Sequence, residues 1–215
     1  MAATPKPDPT PAGALAIVVA THNRKKQKEL ERILTAGGAG VQILALDLFP
    51  PIADAPETGA TFAENARQKA RWYSRATGQL CLADDSGLEV DALGGAPGVR
   101  SARYAGEGAS DADNRRKLLA ELSARPRAPR TARFRCALAL ADGDEIIFEA
   151  DGTTEGTILD AERGGAGFGY DPLFHSSELG RTFAEVDSAE KDRVSHRGRA
   201  LARLLEFLRS APTTT

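Results

Sequence analysis

Two cysteines, three histidines and one tryptophan are all that 215 residues contain of these types. So few thiols and imidazoles leave no ligand cluster for zinc and no disulfide framework. Cys81 and Cys136 each sit inside an apolar, strand-like run, which reads as two buried, reduced thiols of a cytoplasmic protein. An excess of one charge is lacking too. Lys and Arg number 28 against 30 Asp and Glu, a formal net charge of -2, so no global basic field gathers nucleic acid. No apolar run approaches the ~20 residues of a membrane span. The Gly-x-x-x-x-Gly-Lys-Ser/Thr signature of P-loop enzymes and the Gly-x-Ser-x-Gly elbow of serine hydrolases are both missing. Residues 1–13 carry Pro5, Pro7, Pro9 and Pro11 without an apolar core, so they read as a disordered arm rather than a secretory signal. Residues 211–215 read as a frayed tail. The remaining span, 14–210, is long enough for one sizeable domain or two small lobes sharing a core.

What is present begins with Leu80-Cys81-Leu82-Ala83-Asp84-Asp85-Ser86-Gly87-Leu88. The pattern predicts a buried strand that stops at a sheet edge, leaving two carboxylates facing a cleft. Carboxylates so placed can hold a hard cation. Successive strand side chains alternate in direction, so only one of the two looks squarely into one site. Asp-Asp-Ser-Gly is also ordinary turn chemistry, and that reading stays open at this point.

Leu15 to Ala20 is a short β-branched run fit for a strand buried on both faces. Thr21-His22-Asn23-Arg24-Lys25-Lys26 follows, with Asn23 as N-cap and Leu30, Ile33 and Leu34 at helical spacing. Lysines at a helix start oppose its dipole, a conflict that a bound phosphate would resolve. Gly37 and Gly38 end that helix, and Val41 to Leu46 reads as a second strand. Thr61 and Glu64 form a capping box before a helix whose apolar stripe is Ala63, Ala66, Ala70 and Tyr73. Asn65 reads as a surface residue, and Lys69 as lying mostly off the stripe. A helix opens at Ser110 to Asp113. Thr131 to Ala141 and Glu145 to Ala150 read as a hairpin, with Thr153 to Leu159 as a third strand. Gly164 to Pro172 is too glycine-rich for a regular element. It offers Phe168, Tyr170 and Asp171 either to a planar base or to the core. Lys191, Ser195, His196 and Arg197 precede a closing amphipathic helix bearing Leu201, Leu204, Leu205 and Leu208.

Phosphate cradle, acidic strand end and aromatic loop together read as the parts of a nucleoside triphosphate site. In order along the chain, the motifs are Thr21-x-Asn23-x-x-Lys26, Glu57-Thr58-Gly59 with Thr61-Phe62, and Ala83-Asp84-Asp85-Ser86-Gly87-Leu88. They continue with Leu93-Gly94-Gly95-Ala96-Pro97-Gly98, Gly167-Phe168-Gly169-Tyr170-Asp171-Pro172, and Glu190-Lys191 with Ser195-His196-Arg197. On these residues, from Ile17 to Leu208, the sequence resembles the inosine triphosphate pyrophosphatase family. The resemblance implies a single α/β domain over 14–210, with an elongated mixed twisted sheet flanked by helices, two lobes with a central active-site cleft, and a homodimer. It implies hydrolysis of the triphosphates of inosine, deoxyinosine and xanthosine to monophosphate and pyrophosphate, with Mg²⁺ as cofactor. By the same resemblance Asp85 is the catalytic carboxylate and a metal ligand. Thr21, His22, Asn23, Arg24, Lys25, Lys26, Ser86 and Lys191 hold the triphosphate. Phe168, Gly169, Tyr170, Asp171, His196 and Arg197 form the base pocket. Two departures stand out. Position 22 is His where many members have Gly. A second metal-ligating Glu lies just before the Thr-Gly pair in some members. Here Glu57 either takes that role from Pro56-Glu57-Thr58-Gly59, or Asp85 holds the metal with waters. Two rival readings are a nucleotide pyrophosphatase of another base preference and a non-catalytic nucleotide- or RNA-binding protein.

Overall fold

Residues 15–38 and 40–210 are described by a computed structural model. The arm expected over 1–13 and the tail expected over 211–215 lie outside the described residues. The first strand, β1 (Leu15–Val19), is buried on both faces, with Ile17, Val18 and Val19 fully inaccessible. It pairs in parallel with β2 (Val41–Ala45) on one side and β3 (Leu80–Val90) on the other. Antiparallel pairing then adds β4 (Thr131–Asp142), β5 (Glu145–Ile158) and the short β6 (Phe174–Ser176). The result is one mixed six-stranded sheet in the order β2-β1-β3-β4-β5-β6.

Helices cover both faces. On one, Ala66, Ala70 and Tyr73 of α2 (Phe62–Thr77) pack on Cys81, Ala83, Ala137 and Ala139. On the other, Leu30 and Leu34 of α1 (Arg24–Ala36) meet Ile17, Leu82 and Leu138. Leu201 and Leu204 of α5 (His196–Ser210) join them there. The far ends of β3 and β4 enter a third core, where Leu88 and Phe134 pack with Leu118 and Leu122 of α3 (Asp111–Ser123). The long strands thus run from one lobe into another, as the resemblance implies. Local signals place the helix starts where expected. Asn23 accepts the Lys25 and Lys26 N–H groups, and Thr61 with Glu64 forms a complete capping box, as does Ser110 with Asp113. Cys81 and Cys136 are free and buried. No helix among the described residues is long and apolar enough to cross a membrane.

Two expectations are corrected. The strand carrying Asp84 and Asp85 does not stop there. It continues to Val90, paired with β4 throughout. What stops is β1: its pairing with β3 covers only Leu80 to Leu82, and the Ala20 N–H closes on the Leu82 carbonyl at 2.8 Å. One edge of β3 therefore loses its neighbour just before the acidic pair, and a cleft opens beside an unbroken strand. Second, Glu145 to Ala150 and Thr153 to Leu159 are not two strands. Asp151-Gly152 lies inside β5, and Gly152 makes no turn. A Cβ there would stand 2.0 Å from the His196 carbonyl, so this glycine exists to let α5 approach the sheet.

Candidate active site

Alternation along β3 sends the two carboxylates to opposite faces. Asp84 faces α1 and α5. It accepts Lys26 Nζ at 2.8 Å, Arg197 Nε at 3.0 Å and the Cys136 thiol at 2.9 Å. Burial alone would raise its pKa, but the Arg197 and Lys26 charges beside it hold it well below the ordinary carboxylate range. Asp85 faces α2. It accepts Asn65 Nδ2 at 3.1 Å and Lys69 Nζ at 2.8 Å. There burial prevails over Lys69 and Lys26, and the pKa is raised. Two adjacent carboxylates are thus pushed in opposite directions by their surroundings, one a permanent anion, the other a better base.

Asn65 is not a surface residue. It is fully buried because its amide also accepts the Gly59 N–H at 2.8 Å, tying the Glu57-Thr58-Gly59 loop to Asp85. Lys69, one turn on along α2, was not recognised from the sequence. Its ammonium lies 2.5 Å from Glu57 Oε1 and 2.8 Å from Asp85 Oδ1, while Arg103 Nη1 donates to Glu57 Oε2 at 2.8 Å. Glu57 and Asp85 therefore converge on one cation from two elements. This all-oxygen pair fits a hard divalent ion that keeps its waters and shares a phosphate. Among the described residues, no group of three or more Asp, Glu, His or Cys side chains forms a cage of its own.

The cleft beside Lys69 and Glu57 encloses about 640 Å³ and is walled by Thr21, Asn23, Lys26, Asp84 and Arg103, with Asp85 reaching it through Lys69. His22 turns to its rim, 51% exposed, 3.4 Å from Asp54 and edge-on to Tyr73. Arg24 and Lys25 are exposed and line neither this cleft nor the pocket behind it. The lysines' conflict with the helix dipole is met by carboxylates of other elements: Asp84 for Lys26 and Asp111 for Lys25.

Behind the cleft, and sharing Asn23 and Lys26 with it, lies a pocket of about 90 Å³ lined by Ser86, Phe168, Asp171, Lys191, His196 and Arg197 among others. Lys191 sits on its own short helix, α4 (Ser188–Val194), and binds Asp171 at 2.8 Å and Glu29 at 3.3 Å. It lies 5.0 Å above the Phe168 ring. The His196 ring stacks on Phe134 at 4.8 Å, and its buried Nδ1 has no partner. Burial and then Arg197 keep that imidazole neutral. Ser195 caps α5 by accepting the Gly198 N–H at 3.0 Å. The two loop aromatics divide the roles. Tyr170 belongs to the third core and donates its hydroxyl to the Ser101 carbonyl at 2.9 Å, whereas Phe168 stays half-buried at the pocket.

Glu29 was also missed. Only 3% exposed, it bonds Arg197 and Lys191 from α1. Burial works to raise its pKa, but Arg197 and Lys191 pull it from 4.5 to about 2. The unfolded chain thus binds this proton more readily than the folded one. Glu29 contributes stability above pH 4.5 that is lost as the pH falls toward about 2. Denaturant midpoints should drop across that window, and Glu29→Gln should lower the midpoint at neutral pH while flattening the drop. Equal slopes for both proteins would place the acid sensitivity elsewhere.

The described chain is similar to known proteins over most of its length. The Ham1 family model matches residues 17–207. A dITP/XTP pyrophosphatase of Desulforamulus reducens is 49% identical over 187 residues, covering 87% of this chain and 92% of that protein. One of Nocardia farcinica is 53% identical over 189 residues, covering 86% and 91%. The solved structure of a HAM1 protein from Coxiella burnetii superposes with a TM-score of 0.83 at 42% identity, over 92% of this chain and all of that one. A family model spanning nearly the whole described chain, identity near one residue in two to these relatives and a shared fold settle the lineage: the chain belongs to the Ham1 family.

Proposed function

We propose that this chain hydrolyses the triphosphates of deoxyinosine, inosine and xanthosine to monophosphate and pyrophosphate, with Asp85 acting on the attacking water. The observation that carries the assignment is the split of the acidic pair. Asp84 is consumed by Arg197 and Lys26, while Asp85, its pKa raised, binds Lys69, which with Glu57 lines the cleft. The relatives named above are dITP/XTP pyrophosphatases, which supports the substrate class.

The polyphosphate lies in the larger cleft against the start of α1, held by Lys26 with Thr21, His22 and Asn23, and Ser86 lines the smaller pocket next to it. Glu57 and Asp85 would hold Mg²⁺, which when bound would supply charge to offset the phosphates. Lys69 steadies both carboxylates, and Asp85 orients and deprotonates water. The purine enters the smaller pocket, its face on Phe168 and its edge toward Lys191, His196 and Arg197. Hypoxanthine presents a keto acceptor at position 6 where adenine presents an amino donor. A buried donor facing that position favours the keto purine, and the penalty for the wrong partner can approach ~10⁴-fold. A homodimer belongs to the same proposal, with exposed Leu48 and Trp72 as apolar side chains available to it. The two reduced thiols support a cytoplasmic setting.

Product analysis tests the reaction type. One pyrophosphate should appear per deoxyinosine monophosphate, without orthophosphate; release of orthophosphate and diphosphate would sink the assignment. Lys26→Ala and Lys191→Ala should each raise the Michaelis constant for dITP about tenfold through lost charge-assisted bonds. Unchanged constants in both variants would remove these lysines from the substrate.

A further inference from the structure

Asp111 meets the candidate site from two sides, and the chemistry above leaves it without a role. It opens α3 behind the Ser110 cap. A single oxygen, Oδ2, accepts both Lys25 Nζ at 2.9 Å and the backbone N–H of Gly169 at 3.0 Å. Lys25 belongs to the first turn of α1, and Gly169 to the loop bearing Phe168 and Asp171. One turn along α3, Arg115 Nη1 donates to the Gly169 carbonyl at 2.8 Å while its Nε holds Glu162 at 2.8 Å. Gly169 is thus gripped at both its N–H and its C=O. At φ +59 it occupies the left-handed region, with no side chain of its own to fix the loop.

Lys25 and Lys26, neighbours in the first turn of α1, are tied differently; Lys26 lines the cleft and the pocket, while Lys25 lies outside both. Lys26 pairs with a fully buried carboxylate, its own side chain 17% exposed. In the Lys25 pair the side chains are 60% and 40% exposed, so water screens it and a multiply charged anion can break it. We propose that Asp111 is a positioning residue that clasps the cleft. It fixes the base loop through Gly169, and it holds Lys25 until a polyphosphate takes the lysine. The polyphosphate in this statement rests on the functional reading above; the clasp rests on the bonds themselves.

Asp111→Asn keeps an acceptor for Gly169 but surrenders the charge that holds Lys25. Asp111→Ala loses both. The dissociation constant for inorganic tripolyphosphate, by calorimetry, should fall about two- to fivefold in either variant, the scale of an exposed ion pair. In a Lys25→Ala background, Asp111→Asn should bring no gain. The ratio of kcat/KM for dITP over dATP should stay at the wild-type value in Asp111→Asn and shrink in Asp111→Ala. No tightening, a gain that survives in the Lys25→Ala background, or equal loss of the ratio in both variants overturns the clasp. If Asp111→Ala fails to fold, the Asp111→Asn pair still decides. Wild-type protein that binds tripolyphosphate but does not prefer dITP would instead refute the functional reading and leave the calorimetric test of the clasp standing.

Discussion

Asp85→Asn should lower turnover of dITP by about 10³-fold, the scale of a lost general base, and leave the protein folded. The carboxamide keeps the shape of the side chain, and its oxygen can still accept from Lys69. Lys69 in turn retains Glu57 as a counter-charge at 2.5 Å. The site lies where β1 has ended, so no apolar packing is removed. What disappears is the negative charge that would take a proton from water and share a cation with Glu57. Circular dichroism and steady-state kinetics on one preparation separate the two effects. Wild-type turnover with Mg²⁺ present would show that Asp85 is neither base nor necessary ligand.

Arg197→Ala should have the largest effect on stability. The side chain is 1% exposed, and four of its bonds are made inside the protein: two to Asp84, one to Glu29 and one to Ser86. A guanidinium has five N–H donors, so a single one, on Nη1, is left to reach a base. Truncation leaves buried Asp84 with Lys26 and buried Glu29 with Lys191 as their remaining counter-charges, and breaking such buried pairs costs about 3–5 kcal/mol. An unfolding free energy within about 1 kcal/mol of wild type, from denaturant titration, would contradict this reading. The structure thereby recasts the arginine's place in base choice. Arg197 carries the frame on which the pocket is built, and its contribution to discrimination comes from one oriented donor rather than a free guanidinium.

The elements set by neighbouring residues were legible in the sequence. Asn23, Thr61 with Glu64, and Ser110 with Asp113 each satisfy N–H groups within three residues of themselves, so their caps needed no knowledge of the fold. Asp151-Gly152 misled because a glycine serving close helix approach looks like one serving a turn; only the position of α5 distinguishes them. Asn65 and Lys69 carried a signal that was overlooked. They lie four apart, beside Ala66 and Ala70 of the apolar stripe, so they share a helix flank directed at β3. Lys26 and Glu29, three apart on α1, form a comparable pair. Arg103, Asp111 and Arg115 carried none, because their partners are 46, 86 and 54 residues distant in the chain. Such contacts exist only after the two lobes have closed on each other.

The most direct test is side-by-side turnover of dITP, XTP, dATP and dGTP by the wild-type protein with Mg²⁺, read as monophosphate formed. The account predicts rapid conversion of dITP and XTP. Turnover of dATP should be slower by about 10²-fold or more, on the way to the ~10⁴-fold that a mismatched buried donor can impose. Guanine shares the 6-keto acceptor, so slower turnover of dGTP must come from the 2-position instead. Comparable rates for all four would contradict it, leaving a triphosphate hydrolase whose pocket does not read the base.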